Sequence, residues 1–415
     1  MKNADREFRF SKSGISYKVY DYYKQFAVVN SLIGMMTGAL LFNATYLKAS
    51  NLTAAQVGLF SSLTSFVSMF APMFWGIMSD RHQTIKKIIY ICLSAMLVIY
   101  LPMPLLGRIS IGAVTFSMLL IPIQAFFSSA PEAMAVSWVM QAQRKYHDIQ
   151  FGVIRMFFTG AYALSTFLFM LLIEANTIHV IFIGYAVVAV ITMLIFIKIP
   201  DITPINDSVR PSLRELHIER VFKNPMIIFY IVFMAFACIP ASSISVFTPY
   251  LLEDIGAEPA LLGGMMAIRS LSALPVLFFS NRVVRKLGSR NTLLLGVALY
   301  IVTQIVFVFC QTLAQAFINS VISGIAVGFV KPSEVNYVSD EAPEGLVATT
   351  QTICGAVYSI AGIICNLFGG IVVDRFGIRV FYSVVSVLMA VSMIFFYITT
   401  QVFRGKRRLM GKNNF

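Results

Sequence analysis

Charge is what this chain has least of. Of its 415 residues only 12% are Asp, Glu, Lys or Arg, while 58% are apolar or aromatic and the mean hydropathy is +0.79. Soluble domains carry roughly a quarter of their residues as charges. So few ionisable groups cannot clothe two domains in water, and the main solvent must be lipid. Acid is scarcer than base, with 19 Asp and Glu against 32 Lys and Arg and a net charge of +13. A soluble chain with that excess would suggest nucleic acid. Here the basic residues form short clusters between apolar runs, with no continuous stripe and no interleaved aromatic platform, so nucleic acid is not an expected partner. Cysteine and histidine are also sparse. Cys92, Cys238, Cys310, Cys354 and Cys365 are scattered through apolar stretches without a CxxC pair. His82, His147 and His217 fall in expected loops and His179 near a span end. Neither disulfides, nor a metal site, nor a cofactor is expected. The N-terminal stretch is polar and basic, without the apolar segment of a cleavable signal.

What is abundant is apolar length. Runs long enough to cross a bilayer recur about every 30 residues. They cover roughly 22–47, 54–78, 88–106, 109–140, 151–173, 177–198, 225–252, 258–282, 291–311, 313–338, 346–372 and 378–402. The reading is an all-α polytopic membrane protein of twelve spans, with a first six-helix bundle over residues 1–198 and a second, with a basic tail, over 225–415. The linker, 199–224, contains Pro200, Pro204, Pro211 and the stretch SLRELHIERVFKNP, an expected amphipathic segment on the cytoplasmic surface. With the N-terminus inside, inner segments hold about 24 Lys and Arg and outer loops about 4, so both termini are expected in the cytoplasm. The compact chain with short loops suggests a bacterial inner membrane.

The halves echo one another. TAAQVG opens the second span, with Thr53 and Gln56 spaced as a capping box, and EPALLG opens the eighth, with Pro259 at a first-turn position. Gly58 stands as far from Asp80 as Gly263 does from Arg285, so corresponding helices end in corresponding loops. A parallel repeat of two six-helix halves is the plan of a rocking secondary transporter.

The loop GIMSDRHQTIKK, from Gly76 through Asp80 and Arg81 to Lys86 and Lys87, resembles the signature G-x-x-x-D-R/K-x-G-x-R-K of the major facilitator superfamily. Gln83 replaces its second glycine. The segment FGVIRMFFTGAYAL resembles the fifth helix of the lactose-permease branch, and Ala342–Gly377 also follows that branch. The resemblance implies a major facilitator fold with a central cavity opened alternately to each side. It implies proton-coupled uptake of a small polar solute such as a sugar or glycoside by a protein functional as a monomer in the bilayer. Residues that would match the branch's sugar-gripping arginine and stacking aromatic are Arg155 and Tyr162. The positions of its coupling histidine and glutamate are Ser323 and Ala326, and other charged positions fall on Met134, Thr303 and Ser270. Lactose specificity and that proton path therefore do not carry over.

Charges at membrane depth cost several kcal/mol and persist where they face a cavity or a partner. Arg155 offers a planar fork to hydroxyls or a carboxylate, or else flanks the cytoplasmic end of its span. Tyr162 lies two turns along on the same face. Glu132, after Pro131, is a substrate-binding and coupling candidate, kept neutral by desolvation or ionised by Arg155 if the two pair, or else a helix-interior acid neutralised by another partner. Arg269 stands midway along span eight with no acid within a turn, so it is expected to face a cavity, a second-half partner or the interface between the halves, with a solute-binding role favoured. Lys331 and Glu334 share a helix face across Pro332, as a gate or a simple pair. Asp80, Gly76 and Arg81 are gating candidates, with Asp80 expected to latch a helix start. The span amides Asn30, Gln304, Asn319 and Gln351 either bind solute or bond between helices. Asp374 and Arg375 are expected to order an outer loop. Two rivals remain. One is efflux of a drug or metabolite through a Phe- and Met-lined cavity. The other, an integral-membrane transferase, would need more than the acids at 340, 341 and 344, and no enzyme is expected.

Overall fold

The computed structural model describes residues 17–410, apart from 51, 83, 107–108, 112–113, 146–150, 199–218 and 344–345. The amphipathic linker expectation falls largely outside the described residues. Helices α1 (Tyr17–Leu40) and α2 (Asn43–Ala49) make one broken first span, followed by α3 (Ala54–His82), α4 (Ile85–Tyr100) and the short α5 (Met103–Leu106). A two-stranded antiparallel ribbon follows, β1 (Ser110–Ile111) and β2 (Val114–Thr115). Then come α6 (Phe116–Lys145), α7 (Phe151–Ala175), α8 (Val180–Lys198) and the short α9 (Glu219–Lys223). The second half holds α10 (Pro225–Ala237), α11 (Ile239–Asp254), α12 (Leu262–Leu287), α13 (Ser289–Val308), α14 (Leu313–Glu341), α15 (Val347–Phe376) and α16 (Ile378–Met410).

Among the described residues, eleven helical segments are long and apolar enough to cross a membrane. The expected seventh span, 225–252, is split into two shorter helices. Cys238 joins α10 to α11, and Pro240, lacking an N–H, sits in the first turn of α11 where none is needed. The fourth span differs from expectation, because Ser110–Ile111 and Val114–Thr115 form the ribbon and the helix begins at Phe116. Large apolar side chains such as Val98, Leu105, Met73 and Val387 lie on the outside. Water would penalise that surface, whereas lipid tails do not.

The chain divides into two compact units, Met1–Leu40 with Phe70–Asp207, and Leu41–Met69 with Ser208–Phe415. The division cuts the first span at its α1–α2 break. It cuts α3 just before Pro72, which removes the helical hydrogen bond to the Ser68 carbonyl. Aromatic side chains fill the first unit's interior. Trp138 meets Phe26 edge-on with centroids 5.5 Å apart, and Tyr100 packs on Tyr185 at 4.9 Å. Close helix approach there depends on small residues, since a Cβ at Gly34 would lie 2.5 Å from the Phe158 carbonyl oxygen. The second unit stacks Phe233 on Phe396 at 4.5 Å and Tyr230 on Tyr337 at 5.0 Å.

Candidate functional site

In the first unit, α6 and α7 each deliver one charged group. Pro131 in α6 breaks the backbone ladder ahead of Glu132. Glu132 Oε1 accepts a hydrogen bond of 2.7 Å from Arg155 Nη2. Both side chains are about a third exposed, at 36% and 37%. The guanidinium also lies over the Phe158 ring, 4.0 Å from its centroid. A cation at the start of one apolar span and an acid within another thus neutralise each other while both side chains keep partial exposure. Tyr162, on the same helix as Arg155, is half-buried.

The other first-unit candidates are less instructive. Asn30 is buried and donates to the Phe26 carbonyl of its own helix, so it serves α1. Gly76 does not mark a tight approach, because a Cβ there would meet only Met134 Cε at 3.9 Å. Arg81 is exposed in the last turn of α3, and the side chain of Asp80 lies outside the described residues.

In the second unit, Arg269 lies midway along α12. Its backbone is crowded by α14, since a Cβ at Gly324 would come 2.2 Å from the Arg269 carbonyl oxygen. Its Nη2 donates to the Tyr300 hydroxyl at 3.3 Å, and its Nη1 meets Met266 Sδ at 3.9 Å. Its Nε is buried without a hydrogen-bond partner. Lys331 Nζ pairs with Glu334 at 3.2 Å and sits 5.1 Å above the centroid of Tyr358. Half of the Lys331 side chain is accessible, although protein atoms surround it on most sides. That is the setting of a group in a recess. Tyr300 and Tyr358 were not foreseen, and a lone tyrosine in an apolar run carries no signal that separates it from packing. Gln304 and Asn319 are buried, donating to Thr303 Oγ1 and to the Thr303 carbonyl, and so tie α13 to itself and to α14. Gln351 is exposed.

The second unit also holds a cap that corrects one expectation. Asp374, in the last turn of α15, does more than order a loop. Its Oδ1 accepts from the Ala54 N–H at 2.8 Å and its Oδ2 from the Ala55 N–H at 2.7 Å. The capping box at Thr53 and Gln56 is present, with bonds of 3.0 and 3.3 Å. The first three N–H groups of α3 are therefore all satisfied, and the Asp374 charge faces the positive end of the helix. Alongside it, a Cβ at Gly58 would lie 2.3 Å from the Asn366 carbonyl oxygen, and one at Gly370 would lie 2.3 Å from that of Ala54. Lys48 of α2 pairs with Glu253 of α11. Asp340 also proves to be engaged, since it accepts from Ser289 Oγ at 2.7 Å.

An apolar pocket of about 280 Å³ lies in the second unit among α10, α11, α15 and α16, walled by Ile239, Val357, Ile364, Phe368 and Phe381. None of the candidate residues lines it, and its walls offer nothing to hydrogen-bond a polar solute.

The sequence profile of the MFS_1 like family matches residues 22–401. The chain belongs to that family. Like other members of the major facilitator superfamily it is a multi-pass membrane protein with the transporter fold. The MFS_1 like chain is 24% identical to the uncharacterized transporter YwbF of Bacillus subtilis, over 82% of its own length and 84% of that protein. It is 21% identical to the maltose permease of Geobacillus stearothermophilus, over 88% and 91% of the two lengths. Among solved structures, the nucleoside transporter NupG superposes with a TM-score of 0.74 at 16% identity, covering 92% of this chain and 98% of that one. At that identity the likeness shows the shared fold.

Proposed function

We propose that this protein takes up a small polar solute, a sugar or glycoside, by proton-coupled alternating access. It would act as a monomer in a bacterial inner membrane, with both termini in the cytoplasm. The Arg155–Glu132 pair carries the reading. It joins an acid within one apolar span to a cation at the start of the next, and both side chains stay partly accessible. Protonating Glu132 removes the acceptor charge and frees the Arg155 fork for solute hydroxyls. Solute and proton then act on the same pair, which is the linkage that symport requires. The named activity of the maltose permease relative supports the sugar class.

The test is uptake into proteoliposomes from a panel of labelled sugars, glycosides and nucleosides, with and without an imposed pH gradient. The expected result is accumulation of at least one sugar-like solute when the outside is acidic, and its collapse when a protonophore dissipates the gradient. Accumulation independent of the gradient would remove the coupling. Movement of apolar drugs alone would favour the efflux reading.

A further inference from the structure

We infer that the solute is a monoanionic sugar acid, and that Arg269, with Tyr300 and Lys331 beside it, is the site that binds its carboxylate. This rests on the reading of the protein as a carrier of sugar-like solutes, and it names the class within that reading.

Within the spans a cation is tolerated when something balances it. Arg155 is balanced by Glu132, and Lys331 by Glu334. Nearer the span ends, Lys48 is balanced by Glu253 and Arg379 by Asp254. Arg269 differs. Among the described residues no carboxylate lies within ion-pair distance of it, and its guanidinium meets one neutral hydroxyl and one thioether sulfur. Its Nε has given up water and received no acceptor in return. A guanidinium with five N–H donors is thus left largely unanswered, with donors available to an anionic group.

The neighbours make this a cluster. Tyr358 lies under Lys331 and within electrostatic reach of both Lys331 and Arg269, while Tyr300 is bonded to Arg269 and in reach of Lys331. Two cations therefore share the two phenols, and Glu334 cancels one of them. The residual charge is a single positive one. A carboxylate closes that balance. A phosphate monoester, close to doubly charged at neutral pH, would leave a net negative charge in a medium that penalises it. An uncharged sugar would leave Arg269 unbalanced. The phenol ring of Tyr358 and the hydroxyl of Tyr300 supply a flat face and a polar tip suited to the rest of a pyranose. Gly324 fixes the placement, since α14 passes directly against the Arg269 backbone.

The experiment uses the purified full chain with glucuronate and galacturonate as probes. Glucose and galactose serve as neutral partners and glucose 6-phosphate as the more highly charged control. Binding is read as the rise in melting temperature in detergent, and transport as uptake into proteoliposomes. The uronates are expected to stabilise the protein at concentrations at least tenfold lower than the neutral sugars or the phosphate. In Arg269→Gln the ratio of kcat/KM for uronate to that for neutral sugar is expected to fall at least tenfold, mainly through KM, with part restored in Arg269→Lys. Should Arg269→Gln fail to fold, Lys331→Gln is expected to lower the same ratio severalfold. Neutral sugars or glucose 6-phosphate binding as tightly as the uronates, no binding of either uronate, or an equal loss for both classes in Arg269→Gln would each overturn the assignment. Uptake of neutral sugar without acid preference would defeat this site and leave the carrier reading intact. Uronate binding without uptake would do the reverse.

Discussion

Gly58→Leu is expected to abolish uptake while the protein still folds, inserts and is stabilised by its solute. The cause is steric. A Cβ at Gly58 would stand 2.3 Å from the Asn366 carbonyl oxygen and 3.2 Å from Gly370 Cα, and both obstacles are backbone. No rotamer change relieves such a clash, so α3 and α15 must separate at this point. In the proposed orientation, with both termini in the cytoplasm, this end of the helices lies at the outer face. A transporter that alternates access has to seal each face in turn. A chain unable to bring Gly58 against Asn366 would be held with that seal open, binding solute without delivering it. Asp374→Ala is the softer version. It removes the acceptors for the Ala54 and Ala55 N–H groups but leaves the backbone approach intact. Helix-end charges of this kind contribute roughly 0.3–1 kcal/mol, so uptake should fall severalfold and survive. Initial uptake rates, with melting temperature as the folding control, decide the matter. Near-normal uptake by Gly58→Leu would show that the approach of α3 to α15 is not used in the cycle.

Arg155→Lys and Glu132→Gln are expected to fail in different ways. Lysine keeps the charge and can still meet Glu132, but it loses the planar fork and the stacking over Phe158. Charge-assisted hydrogen bonds contribute roughly 1.5–3 kcal/mol when buried, and the partial exposure of this pair favours the lower end. Uptake should therefore fall about tenfold, chiefly through KM. Glu132→Gln retains an acceptor oxygen of the same size but cannot take up a proton. Solute exchange across the membrane should persist in this variant, while accumulation against a gradient disappears. Parallel assays of exchange and of gradient-driven accumulation separate the two. Wild-type uptake by Arg155→Lys would remove the solute contact, and undiminished accumulation by Glu132→Gln would remove the coupling role.

The sequence made the spans legible because lipid imposes length and composition more strictly than water does. The Thr53–Gln56 capping box and the pairing of Lys331 with Glu334 were legible for a local reason, since three-residue spacing on a helix fixes both. The Arg155–Glu132 contact, between residues on different helices, required the structure to decide among open alternatives. Asp374 was misjudged because its partners are backbone N–H groups more than 300 positions away, and no spacing rule reaches that far. The phenols of Tyr300 and Tyr358 escaped notice for the same reason. Their meaning comes from the cations beside them on other helices. Ser110–Ile111 and Val114–Thr115 read as span because the apolar content around them resembles that of the helix they precede, and two-residue strands have no signal of their own.

The charges within the spans are expected to face water and solute, not lipid. Thiol labelling tests it most directly. The five native cysteines are buried, so a cysteine placed at position 269 or 331 can be read against a quiet background once they are blocked or replaced. Arg269→Cys and Lys331→Cys are expected to react with a charged, membrane-impermeant thiosulfonate reagent in inverted or detergent-opened preparations. Solute should slow both reactions. Labelling only by a lipid-soluble maleimide, with no effect of solute, would place these side chains against the bilayer and contradict the account.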